Sequence, residues 1–335
     1  MSRKLITIST IMTLMSTSVI ADVPNVAADI APIHSLVSRV MDGVGAPKLI
    51  VQSGASPHGY RLRPSEAKAL QDADHVFWMG EELTPWLDSA IGTLASKASV
   101  TTLLDQQGVI LHDFREGALF EAHDHSAHGD DDHDDHDDHD DHDDHEDHDD
   151  HDDHDDHDDH DDHGHGAHDP HAWLSPENAK LWLNIIASKL SVADPENAAS
   201  YFTNAAAGQA EIEDMVAEVS ATLKPVQGGK FVVFHDAYQY FENDFDFYAS
   251  GAISLSDASD PSPARIAKIQ KRIRDEGIQC VLAEPQFKKG LVATVMEGSE
   301  ATASVIDPLG ADIKPGPKLY TQLIKNMAKT LRDCL

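Results

Sequence analysis

Basic residues are scarce in this chain: 25 Lys and Arg stand against 59 Asp and Glu, for a formal net charge of −34. With nothing to supply a basic stripe, nucleic acid is excluded as a partner. Long apolar runs are also lacking beyond the first, Leu5 to Ile20, which is short for a bilayer and rich in Ser and Thr. Arg3 and Lys4 precede that run and small Ala21 follows it, with Val19 two residues earlier, which is the pattern of an export signal. The expected mature chain therefore starts near Asp22 and is exported. No cysteine follows the cleavage point closely, which argues against a lipid anchor. Only Cys280 and Cys334 are present. In an oxidising compartment a lone pair reads as a disulfide, and two buried thiols are the alternative.

What is abundant is histidine beside aspartate. Of the 22 histidines, only His34, His58, His75, His112, His171 and His235 lie outside residues 123–168. The others, His123, His125, His128, His133, His136, His139, His142, His145, His148, His151, His154, His157, His160, His163, His165 and His168, sit mostly in an Asp-Asp-His repeat. This stretch holds 24 of the 59 acidic residues, so without it the net charge is about −10, that of an ordinary acidic soluble protein. Lacking an apolar face, residues 122–168 are expected to be a disordered insertion. Imidazole nitrogens and carboxylate oxygens are ligands for zinc and its neighbours, and a period of three aligns the histidines along one edge of an extended chain. The run reads as a series of weak metal sites.

Length points to two domains once the repeat is set aside. Before it, apolar strand-like runs (26–33, 47–51, 75–80) alternate with helical patterns that begin at His34, Pro64 and Glu81. After it, Ser175-Pro176-Glu177 opens a helix to about Leu190. Residues 195–224 then have no internal proline and carry apolar residues at helical spacing, enough for a strut of about 45 Å. A second alternation places strands at 230–234, 280–283 and 303–306, and helices at 264–276, 291–300 and 320–334. The reading is α/β: two lobes, each a mostly parallel sheet flanked by helices, joined by one long rigid linker helix. The divisions are a signal at 1–21, a first lobe at 22–194, a linker at 195–224 and a second lobe at 225–335.

Each strand of the second alternation runs into a polar residue, His235, Glu284 or Asp307, at the strand end where α/β sheets bind ligands. His58, on the loop after an early strand, and His171, in Asp-Pro-His-Ala-Trp, complete a set of three imidazoles that a cleft could collect. Three imidazoles suit zinc. His34, His75 and His112 have no such setting and are expected at the core edge or surface.

Several segments together resemble the zinc-binding branch of the cluster A-I solute-binding proteins. They are Gly54-Ala55-Ser56-Pro57-His58-Gly59-Tyr60, His171-Ala172-Trp173-Leu174-Ser175-Pro176, Val233-Phe234-His235-Asp236-Ala237-Tyr238, Ala283-Glu284-Pro285-Gln286-Phe287 and Asp307-Pro308-Leu309-Gly310. The resemblance spans nearly the whole mature chain. It implies zinc held between the lobes and delivered to a membrane permease with a cytoplasmic ATPase, a monomeric protein with no catalysis, and a periplasmic metallochaperone as a further partner. It places the zinc ligands on His58, His171 and His235. Some relatives carry Glu before the first ligand, where this chain has Pro57, so water or Asp307 is left to complete a tetrahedron. Glu284 is expected to orient an imidazole from behind. Two other readings compete: a three-histidine metallohydrolase, weakened because no His-Glu-x-x-His is present, and a passive metal buffer, for which a cleft would be superfluous.

Overall fold

A computed structural model describes residues 23–115, 168–254, 261–286 and 289–335. The expected export signal, and the histidines from His123 to His165, lie outside those residues. The first lobe runs β1 (Val26–Ala28), α1 (Ala31–Val40), β2 (Lys48–Leu49), α2 (Pro64–Gln71), β3 (His75–Trp78), α3 (Pro85–Leu94) and β4 (Ser99–Thr102). Its strands are all parallel, in the order β2-β1-β3-β4, with Ala27 opposite both Lys48 and Val76. The helices α4 (Pro176–Ala193) and α5 (Ala198–Leu223) follow. The second lobe is β5 (Phe231–His235), α6 (Gln239–Phe245), β6 (Ala252–Ser254), α7 (Pro263–Glu276), β7 (Cys280–Ala283), α8 (Lys289–Met296), β8 (Thr302–Val305) and α9 (Leu319–Cys334). Its parallel order, β6-β5-β7-β8, repeats that of the first sheet.

Helices start where proline and a capping group permit. Pro64, Pro85, Pro176 and Pro263 each occupy a first helical turn, where their missing N–H costs nothing. Ser175 accepts the Asn178 amide at 3.3 Å, and Ser262 accepts that of Arg265. The central strands are buried on both faces, as parallel sheets require, because crossover helices cover each side. One apolar cluster lies under α2 and α3, another under α7 and α8, and the largest runs through both lobes.

α5 makes that last core continuous. Tyr201, Ala205, Gly208, Ile212, Met215, Val219 and Leu223 recur at intervals of three or four and form its buried stripe. The stripe packs on α1 and α4 of the first lobe and on α9 of the second. At Gly208 a Cβ would meet Leu183 Cδ1 at 3.0 Å and Arg39 Cγ at 3.1 Å, so glycine permits this close approach. Cys280 of β7 and Cys334 of α9 form a disulfide with their Cα atoms 5.8 Å apart, pinning α9 to the second sheet.

Four expectations need correction, the first being that the first sheet carries a fourth strand, β4, where the sequence pointed to three. The strand expected over 26–33 stops at Ala28, because the buried Asp29 carboxylate accepts the Ile30 and Met79 amides at 2.7 Å each and turns the chain into α1. Residues 195–197 form a separate 3-10 turn, so α5 spans 26 residues, about 39 Å at 1.5 Å per residue. The second sheet has four strands: α6 and β6 fill 239–254, where short aromatic-rich stretches carry little periodicity.

Candidate metal centre

Each of the three imidazoles is fixed by a different local device. His58 sits on the loop that follows β2, half-buried. Trp86 donates its indole N–H to the Pro57 carbonyl at 2.7 Å, and Tyr60 donates to Glu66 at 2.7 Å, so the loop is tied on both sides of His58. His171 is buried and caps the 3-10 turn 172–174 that leads into α4. His235 is the last residue of β5, also buried. The first two belong to the first lobe and the third to the second.

They meet between the lobes. One ligand nitrogen from each of the three lies within 4.8 Å of the others, and the ring centroids are 5.5 Å (His58 to His171), 5.8 Å (His58 to His235) and 4.9 Å (His171 to His235) apart. Tetrahedral zinc with bonds of 2.0–2.1 Å sets nitrogens about 3.4 Å apart, so small side-chain adjustments close the group on an ion.

Buried acids surround it. Asp169 Oδ1 lies 2.6 Å from His171 Nδ1 and accepts the His171 amide at 3.0 Å; burial pushes its carboxyl up to about 6. Glu284 Oε2 stands 3.7 Å from His235 Nδ1, an ion-pair separation beyond hydrogen-bond reach, while its Oε1 accepts the Tyr238 hydroxyl at 2.6 Å. The nearby carboxylates attract a cation, more strongly because the surroundings are of low dielectric, and the imidazoles supply its donor atoms.

The other expected site residues fall outside the group. Asp307 is not part of it: its carboxylate accepts the amides of Leu309 and Gly310 at 2.9 Å and of Ala311 at 2.5 Å. His168 pairs with Asp113 at 2.9 Å on the surface. His34 and His75 are core residues, bonded to the Pro47 carbonyl and the Thr101 hydroxyl. Arg115, which immediately precedes residues 116–167, reaches across to Asp236 and Glu242 of the second lobe.

Two parallel α/β lobes with a ligand group between them, joined through a helix shared by both cores, define a metal-binding solute-binding protein. The family described as "Zinc-uptake complex component A periplasmic", ZnuA, matches residues 26–334, and the chain belongs to it. Relatives include the high-affinity zinc uptake system protein ZnuA of Brucella abortus, 51% identical over 310 residues covering 92% of this chain and 91% of that protein. The ZnuA of Paracoccus denitrificans is 47% identical over 94% and 93%. In fold, the chain is similar to a crystal structure of ZnuA (TM-score 0.68, 20% identity, 92% of this chain and 100% of that one). It is equally similar to the laminin-binding adhesin Lmb of Streptococcus agalactiae (TM-score 0.69, 21% identity, 93% and 99%).

Sequence reasoning missed Asp169, Tyr238 and Arg115. Asp169 had a local signal, a carboxylate two residues before a candidate ligand. Arg115 had none, because its partners lie 121 and 127 residues away.

Proposed function

We propose that this chain binds zinc through His58, His171 and His235, with water as fourth ligand, and hands it to the membrane permease of an ABC importer. The observation that carries this reading is the convergence of three imidazoles from two lobes on one point. Nitrogen-rich sites favour zinc over manganese. The engagement of Asp307 with three backbone amides supports water over a fourth carboxylate. Glu284 and Asp169 serve the ligands from behind. The names of the relatives and of the family support zinc as cargo and the periplasm as location.

The rest of the assignment follows the sequence. The signal is removed near Ala21; residues 22–194 form the first lobe, 195–224 the linker and 225–335 the second lobe. Residues 122–168 collect additional zinc weakly and feed the cleft when zinc is low. The protein acts as a monomer and accepts zinc from a periplasmic metallochaperone. Cobalt substitution of a chain lacking residues 123–163 tests the central point. A tetrahedral site of three nitrogens and one oxygen gives intense visible d–d bands at one cobalt per chain; weak octahedral bands would overturn the reading.

A further inference from the structure

The stems of the repeat-bearing insertion are fastened to the second lobe close to two of the three imidazoles. On the outgoing stem, Arg115 Nε lies 3.1 and 3.2 Å from the two carboxylate oxygens of Asp236, the residue after His235, and its Nη1 donates to Glu242 of α6. The incoming stem ends in Asp169, which holds His171. A single hydroxyl, that of the fully buried Tyr240 on α6, accepts the His112 amide at 3.0 Å and donates to the Asp169 carbonyl at 2.7 Å, so it grips both stems at once. The stems themselves pair through Asp113 and His168, and through the Asp169 amide on the His112 carbonyl at 2.8 Å.

Arg115 is well suited to such a latch. Its planar fork serves two carboxylates, and although burial opposes its charge, Glu242 and Asp236 more than offset this and hold it protonated. Asp236 and Glu242 are almost wholly buried, so without Arg115 they would face each other in a medium that tolerates unpaired charge poorly. Separating the lobes must break this cluster and the Tyr240 bridge together. From this geometry we infer that Arg115 is a positioning residue that, with Tyr240, latches the first lobe to the second and sets the rate at which bound zinc leaves the cleft. Arg115 and the Tyr240 hydroxyl bond groups that adjoin the proposed ligands, Asp236 and Asp169, and the latch slows opening without adding a bond to the metal. This inference rests on the three-histidine reading of the site.

The test uses the full chain loaded with one zinc and mixed in stopped flow with an excess of a chromogenic zinc chelator. Arg115→Ala should raise the slow release rate at least tenfold and change the association rate much less. Arg115→Lys, which keeps the charge but not the fork, should recover part of the loss, and Tyr240→Phe should accelerate release severalfold. Arg39→Ala, which breaks the Arg39–Glu211 pair between α1 and α5, serves as the control and should leave release unchanged. Folding is followed by circular dichroism. Should Arg115→Ala fail to fold, the Lys and Phe variants decide. Parental release rates in the folded latch variants would overturn the inference. Retention of tight zinc by His235→Ala would instead overturn the site on which it rests.

Discussion

Asp169 holds His171 by two bonds, one to the ring nitrogen Nδ1 at 2.6 Å and one to the backbone amide at 3.0 Å. An ionised carboxylate only accepts, so Nδ1 carries the ring proton and Nε2 the lone pair that a metal needs. Asp169→Asn keeps the size but frees the tautomer and removes a charge. It should weaken zinc binding roughly 10- to 100-fold by competition titration. Parental affinity would show that the ring needs no such support.

Asp307→Asn should behave differently. With the carboxylate engaged by three amides of its own loop and water completing the zinc site, this variant should lose less than about threefold in zinc affinity, although its loop loses amide bonds and the fold should melt earlier. A loss as large as that for a ligand histidine would place Asp307 on the metal.

The disulfide closes a separation of 54 residues, worth about 4 kcal/mol in the chain-entropy model. The Cys280→Ser, Cys334→Ser double variant should therefore melt roughly 10 °C lower by circular dichroism, because α9 carries much of the shared core. Its zinc stoichiometry should not change, since the bridge lies away from the three imidazoles.

His75 makes the metal-free protein acid-sensitive. Burial lowers its pKa from 6.5 to about 4, with Lys189 adding to the effect. The unfolded chain thus binds a proton that the folded chain refuses, and the stability this group contributes is present above pH 6.5 and lost as pH falls towards 4. Over that window the loss is on the order of 3 kcal/mol. Urea titrations of the parent and His75→Asn should differ by an amount that shrinks as pH drops. A pH-independent difference would mean that His75 does not titrate in this range.

The features that were legible in the sequence are those written locally. Serine and proline at positions 175 and 176 marked a helix start, and apolar runs at 231–234 and 280–283 marked strands. The same strands pointed to His235 and Glu284, because residues at the ends of parallel strands face the cleft. What stayed hidden depends on distant partners. Asp29 turns the chain by bonding Met79, fifty residues on, and Arg115 matters only because α6 of the other lobe lies beside it. β6 was missed because three residues, Ala252 to Ser254, are too short for alternation to register and gain their place from pairing with β5.

The central claim is that one tight zinc is held by His58, His171 and His235. Zinc titration against a competing chelator, on a chain lacking residues 123–163 so that weak sites do not contribute, tests it most directly. The account predicts one high-affinity zinc per chain, and affinity at least tenfold lower for each of His58→Ala, His171→Ala and His235→Ala, because each removes a bond to the metal. Parental affinity in all three variants, or disappearance of the tight site on deleting residues 123–163 from a chain that still folds, would contradict it.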